Sequence, residues 1–484
     1  MAACSPADPR RTLYTNATII TVNPDRDIIL DGAILVTGSY ITAIGKTSDV
    51  LDDLKQKPVE QIDLRDRIVI PGLINTHAHL AQSLLRGLAE DLDLHAWLCN
   101  AIWPLEAAFE GDDGYVGAKL TIAEMLLSGT TCFLEAMLTH TTGMQNVVRA
   151  VEESGMRACL GKLVKPVETN KAVGMTDARD KDVESMSVDA AIEAFEKFDG
   201  GCEDRLAVWM ALGTPRGNDV TFHAEAAKRA KATGMGLTMH CAEAPKDLEI
   251  YRECYTCSPA EFCKQAGIVG PKVVLAHMVN LDLEKDLPVL AETGTSVAHN
   301  PSSNCKLGSG IAAVPEMLAA GVNVSLGTDG APCSNTYDMI REMDLASKLQ
   351  AGKKQKAGTL PALAVLEMAT IRAARALGLE DEIGSLEVGK KADFVVMNPT
   401  RIGSACAPWD AGEARNGGIS PVTAVVHSCT GRDVEMVVVD GEVLVRDGRL
   451  VRETEQELLR AAREATKALR QRSGIRAQGR SAYV

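Results

Sequence analysis

Positive charge is in deficit in this chain: 51 lysines and arginines face 65 aspartates and glutamates, a formal balance of −14 over 484 residues. A surface that tracks a phosphate backbone needs Lys and Arg clustered in excess, so a nucleic-acid polymer is excluded as a partner. Long apolar runs are missing as well. No stretch reaches the roughly 18 uninterrupted apolar residues of a membrane helix, and a composition of 46% hydrophobic and 24% charged residues is that of an ordinary soluble protein. Residues Met1–Arg11 contain no apolar core of the about 7–15 residues that a secretory signal needs. No low-complexity linker and no internal repeat breaks the chain. The 13 cysteines are odd in number and scattered inside apolar runs such as Thr131-Cys132-Phe133. They are expected to be reduced core thiols of a cytoplasmic protein, not a disulfide framework.

What is present is enough chain for one large barrel and a second domain. Eight short apolar, β-branched runs follow one another: Ile68–His79, Thr130–Glu135, Met156–Val164, Leu206–Gly213, Gly236–Glu243, Lys272–Met278, Thr295–Asn300 and Val322–Asp329. Segments with Ala, Leu, Glu and Lys at helical spacing separate them. This alternation predicts an α/β protein built on a (β/α)8 TIM barrel. Both flanks carry short alternating strands, at Leu13–Val22, Ala33–Gly38 and Ile41–Gly45, and again at Asp393–Met397, Val422–His427 and Val434–Arg446. Asp440-Gly441 and Asp447-Gly448 are hairpin turn pairs in the second set. Neither flank has enough strands for a core, so the two chain ends are expected to form one small discontinuous β-sandwich. The expected division is 1–70 and 384–450 for the sandwich, 71–383 for the barrel and 451–484 for an exposed C-terminal helix and tail.

The chemistry gathers at predicted strand ends. His77 and His79 are two apart on the first strand and therefore share a face. His240 ends the fifth, His277 the sixth and Asp329 the eighth. A barrel brings all C-terminal strand ends to one face, where catalytic residues sit. Three imidazoles and a carboxylate, His77, His79, His240 and Asp329, suit one Zn²⁺ or Fe²⁺ with a position left for water. Unpaired buried polar groups are costly, which argues against their coincidence.

With these residues in place the chain resembles the amidohydrolase superfamily. The resemblance is carried by Pro71-Gly72-Leu73-Ile74-Asn75-Thr76-His77-Ala78-His79, His240 with Glu243, His277, His299-Asn300-Pro301-Ser302-Ser303-Asn304, Gly327-Thr328-Asp329-Gly330 and Gly384–Asp393. Ile102-Trp103-Pro104-Leu105-Glu106 and Ser128-Gly129-Thr130-Thr131 are similar to the branch of methylthioadenosine/S-adenosylhomocysteine deaminases and triazine hydrolases. The resemblance implies a mononuclear site and a homodimer or homotetramer. It implies hydrolytic deamination of a small aromatic heterocycle, a purine, pterin or triazine-like ring. In this reading Asp329 takes a proton from water, Glu243 passes one to a ring nitrogen and then to the amine, and His277 stabilises the attacking oxygen.

Substrate contacts are read from Glu106, Arg216, Gln82 and Trp103, with Arg86 a weaker candidate. Glu106 matches a family position that binds a ribose diol, or is a carboxylate favoured by a helix start. Where the family's nucleoside deaminases have Gly-Pro-His, this chain has Gly213-Thr214-Pro215-Arg216-Gly217. That departure points away from adenosine-type rings, toward a substrate carbonyl or carboxylate facing Arg216, or leaves Arg216 at the rim. Other motifs fall away: Gly384–Lys391 lacks the Ser or Thr of a phosphate loop and is expected in a hairpin. His223 is expected at a helix start, Cys254 and Cys257 have no partner pair, and His95 and Trp97 are expected to pack a loop helix, with His140 and His427 read likewise. Lys162 and Lys165 follow the third strand, whereas a bridging lysine would follow the fourth, so no second metal is expected. Asn398–Pro421 is a candidate loop over the mouth. Hydrolysis of another C–N or C–Cl bond and a catalytically inactive scaffold are the alternatives.

Overall fold

A computed structural model describes residues 10–54, 59–166, 173–217, 220–404 and 418–475. The expected runs become parallel strands at Leu73–His79, Thr130–Leu138, Arg157–Val164, Leu206–Leu212, Leu237–Cys241, Val273–His277, Ser296–His299 and Asn323–Leu326. Each pairs with the next in sequence order. Their residues are buried almost throughout, as parallel strands covered by helices must be. A two-residue piece, Asp329–Gly330, pairs in parallel with Ala78 and His79 of the first strand. Thr76 adds a link to the eighth strand, its hydroxyl 2.8 Å from both Ser325 Oγ and the Leu326 carbonyl. These contacts bring the eighth strand's end back against the first.

The chain ends meet as expected, in one connected nine-stranded mixed sheet. Strand Phe394–Met397 runs antiparallel to Ile68–Pro71, which itself pairs with Arg11–Ile20. A buried layer including Ile19, Ile34, Val69, Phe394 and Val438 fills its concave face. Asp440-Gly441 and Asp447-Gly448 do form hairpin turns, with φ positive at all four residues. Arg157, at the start of the third barrel strand, donates two hydrogen bonds to Asp393, at 3.0 and 3.2 Å, and one of 3.2 Å to Asp440. All of this lies at the barrel's N-terminal end, away from the mouth.

Three expectations are corrected. Val422–His427 is not a strand but a helical turn, Pro421–Thr423 continuing through Ala424–Ser428. Its β-branched run is buried against the helices before it, so packing overrides local preference. Gly384–Lys391 is not a hairpin. It is a turn whose end lies along Tyr40-Ile41, Ile41 N–H donating to the Lys390 carbonyl at 2.9 Å. The C-terminal helix, Glu455–Ser473, is not wholly exposed: Leu469 is fully buried, and Thr466 Oγ1 donates to the Leu84 carbonyl at 3.2 Å. Of the candidate loop Asn398–Pro421, residues 405–417 lie outside the described residues.

Candidate active site

Strand geometry delivers His77, His79, His240 and Asp329 to one point. One ligand atom from each lies within 4.8 Å of all the others. His79 Nε2 is 3.2 Å from His240 Nε2 and 3.3 Å from Asp329 Oδ1, and His77 Nε2 is 3.6 Å from the same oxygen. Both ring nitrogens of His77 are buried with no hydrogen-bond partner among the described residues. Burial pushes His77 down to about 4 and His240 well below the ordinary imidazole range. Burial opposes ionisation of Asp329 too, but the imidazoles of His77 and His79 beside it outweigh that and hold the carboxyl well below its usual range. At His79 burial is outweighed by Asp329 and the neighbouring Glu135, which push it the other way, above the ordinary range. Three converging imidazoles, those of His77 and His240 held neutral and the nitrogens of His77 unsatisfied, beside an ionised carboxylate are a donor set that a divalent cation fits.

The backbone is strained where it presents these groups. φ is 61° at Asp329, 74° at His277, 45° at Met278 and 49° at Ala242, a left-handed region that costs non-glycine residues about 1–3 kcal/mol each. Gly327 has to be glycine, since a Cβ there would lie 2.7 Å from His77 Cβ and 2.4 Å from Asn300 Oδ1.

Glu243 and His277 join the same cluster through Asp329. His277 Nε2 is 3.7 Å from Glu243 Oε2 and 3.9 Å from Asp329 Oδ2. His277 Nδ1 lies 2.9 Å from Asn304 Oδ1 and 3.3 Å from Asn300 Nδ2, and Nε2 faces the site. Burial pushes the Glu243 carboxyl up to about 7. A further layer holds these groups. Ser303 Oγ donates to Asp329 Oδ2 at 2.6 Å. Glu135 accepts from the Leu80 and Met137 N–H groups at 2.6 and 3.0 Å and stands 3.7 Å from His79 Nδ1. The His-Asn-Pro-Ser-Ser-Asn run carried Ser303 and Asn304 in the sequence without revealing their targets. Glu135 is a buried carboxylate inside an apolar strand, the one sign that could have singled it out.

His79, His240, Glu243 and Asp329 border one cavity at the mouth of the barrel. Gln82, Trp103, Glu106 and Arg216 also line it. Gln82 Nε2 donates to Glu106 Oε1 at 2.9 Å, and Glu106 is the last residue of the short helix Trp103–Glu106. Arg216 Nε is 3.8 Å from Asp247 Oδ1. Arg86 does not line the cavity; it pairs with Glu124. Trp97, expected only to pack, lines the cavity with Leu94, Leu98 and Ile102. His95 has a polar partner, Asp247 Oδ1 at 3.3 Å, while Asp247 caps the following helix through the Ala244 N–H at 3.0 Å. His223 lies in the first turn of its helix, its Nε2 2.8 Å from the Gly213 carbonyl.

The largest omission is an ion-pair row along the wall over the third strand. Lys165 Nζ lies 2.5 Å from Asp177 Oδ2 and 2.6 Å from Asp180 Oδ1. Arg179 donates to both oxygens of Asp177 at 2.9 Å and to Glu106 Oε2 at 3.0 Å. Lys165 was weighed only as a bridging lysine, and Asp177 and Arg179 come from an irregular segment that no periodicity marks.

Three comparisons place this geometry. A 5′-deoxyadenosine deaminase of Methanothermobacter thermautotrophicus is 36% identical over 436 residues, 90% of this chain and 95% of the relative. A 5-methylthioadenosine/S-adenosylhomocysteine deaminase of Acetivibrio thermocellus is 36% identical over 438 residues, 90% and 94% of the two chains. An adenosine deaminase from Xanthomonas campestris, solved with bound zinc, superposes with a TM-score of 0.84 at 27% identity, over 96% of this chain and all of the other. The amidohydrolase family model itself matches residues 68–444, more than three quarters of the sequence, and with the barrel and its strand-end histidines described, this chain belongs to the amidohydrolase family.

Proposed function

We propose that this protein is a hydrolytic deaminase of adenosine-type nucleosides, exchanging the exocyclic amine of the purine for oxygen and releasing ammonia. The observation that carries the reading is Glu243: a buried carboxyl brought to about 7, facing His277 and Asp329 beside the four converging ligand atoms. Removing an amine requires a proton at the ring nitrogen and another on the departing nitrogen, so an acid that exchanges protons near neutrality is what the reaction needs. Departure of chloride makes less demand on such a group. The relatives named as deaminases of 5′-deoxyadenosine and 5-methylthioadenosine bring nucleosides back despite the departure at Arg216.

His77, His79, His240 and Asp329 would hold one divalent ion, zinc by the preference of three imidazoles and a carboxylate and by the zinc in the Xanthomonas relative. When bound, the ion supplies a water whose pKa is lowered to about 7. Asp329, held ionised, takes a proton from the attacking water. His277 accepts a hydrogen bond from that water at Nε2 and so orients its lone pair toward the ring carbon. Glu243 protonates the ring nitrogen, and after regaining a proton gives it to the amine. Trp97, Trp103, Leu94 and Ile102 cover the ring with apolar surface and exclude bulk water. The free cysteines fit a reducing compartment such as the cytoplasm.

The test is direct. Zinc-loaded protein incubated with 5′-deoxyadenosine should release one ammonia per nucleoside as the adenine spectrum becomes that of hypoxanthine. No ammonia from any aminopurine nucleoside, with chloride released from a chlorotriazine, would overturn the assignment.

A further inference from the structure

The row Gln82–Glu106–Arg179–Asp177–Lys165–Asp180 begins one turn beyond the ligand His79 and runs along the cavity wall over the third strand. That strand stands midway between the first, which carries His77 and His79, and the fifth, which carries His240. Gln82, Glu106, Arg179, Asp177 and Lys165 line the same cavity as His79, His240 and Asp329, so a group appended to a ring seated at the ligand group has this row within its reach. Lys165, Asp177, Arg179 and Glu106 are each at most 5% exposed. Two cations meet three carboxylates here. Asp177 engages both cations and thereby leaves neither to an incoming anion. Among the described lining residues the remaining cation, Arg216, faces Asp247.

Building on the deaminase reading, we propose that Asp177 makes this site select nucleosides whose appended 5′ group is uncharged and reject those carrying a carboxylate or phosphate there. An anionic group would have to take Lys165 or Arg179 from Asp177, leaving two negative groups to share the cations of one buried row, or lie unpaired beside it. A neutral group asks neither. Burial resists ionisation of Asp177, but Arg179 and Lys165 outweigh it and hold the carboxyl below its usual range, so the charge persists at every working pH.

Adenosine-5′-carboxamide and adenosine-5′-carboxylate, nearly identical in shape, isolate the charge. On zinc-loaded wild type the carboxylate should have a kcat/KM about 100-fold lower, chiefly through KM. Asp177→Asn removes one negative charge and should close that gap at least tenfold. Asp180→Asn, at the outer and partly exposed end of the row, should close it several-fold and serves where Asp177→Asn does not fold. The ratio uses each variant's own carboxamide activity as reference, so general damage cancels. Equal use of the two compounds by wild type, or an unchanged ratio in a folded variant, overturns the proposal. Failure to deaminate 5′-deoxyadenosine as well as both compounds would sink the deaminase reading instead; if 5′-deoxyadenosine alone is deaminated, or none is, the ratio of the two compounds' Kd values in the same proteins by calorimetry decides the charge claim.

Discussion

Glu243 shows how far environment decides what a side chain can do. Three residues past His240 it could have been a solvated rim carboxylate. Instead it is buried against His277, where burial brings its proton into the range that catalysis uses. Glu243→Gln keeps the shape and removes the titration, so it should lower kcat by about 10²–10⁴-fold, while metal analysis finds the same content as wild type. Ser303→Ala withdraws the 2.6 Å hydrogen bond to Asp329. It should weaken metal affinity or activity by about 10–100-fold, as lost outer-layer partners of ligands do, checked by competition with a chelator. That His77, His79, His240, His277 and Asp329 come together was legible because they stand at or near strand ends, and strands are legible from periodicity; Glu243, two residues past its strand, was marked only by the family resemblance. Asp177 and Arg179 were not, because ion pairing rather than periodicity fixes their segment. Trp97, in a short helix, packs with Leu94 and Leu105 as expected; that it also borders the cavity was not legible, because a short covering helix gives no sign of which side faces the cavity.

Two helices show packing working at a distance. The short helix Pro301–Lys306 carries Ser303 and Asn304 to their targets, and Glu342 anchors its first turn, accepting from the Ser302 N–H at 3.1 Å and its hydroxyl at 2.5 Å. Burial pushes the Glu342 carboxyl up to about 7. A carboxyl raised in the folded state binds more protons there than when unfolded, so wild type loses stability as pH rises from the unfolded value near 4.5 through 7. Glu342→Gln cannot titrate. Its Tm relative to wild type should therefore climb between pH 5 and pH 8; a difference independent of pH would contradict the assignment. The C-terminal helix packs Leu469 in one cluster with Leu84, Leu85 and Leu105, next to Gln82 and Glu106. Leu469→Ala should cost about 2–5 kcal/mol in denaturant unfolding. That helix was visible in the sequence from its composition. Its docking face was not, since the apolar positions on it are few and small, Ala462 among them. Val422–His427 failed for the opposite reason: a β-branched run reads as a strand until the surrounding helices bury it.

For the molecule as a whole, the barrel was readable from eight apolar runs, and the joining of both ends from the shortage of strands at each. What ties the two parts together was not readable, because Arg157, Asp393 and Asp440 are ordinary charges in sequence and become a buried ion pair only through the topology. Arg157→Ala strands the buried Asp393 carboxylate, while Asp440 keeps Lys391 at 3.2 Å, and should destabilise the protein by about 3–5 kcal/mol, with unfolding followed by denaturant titration. The same topology gathers His77, His79, His240 and Asp329 from four separate stretches of chain into one group. The central claim is that this group holds a single catalytic ion. The most direct measurement strips the protein of metal and follows ammonia release from 5′-deoxyadenosine as zinc is returned. Activity should be absent at the start, rise in proportion to added zinc and level off at one equivalent per chain. Full activity in the stripped protein, or a plateau only at two equivalents, would contradict it.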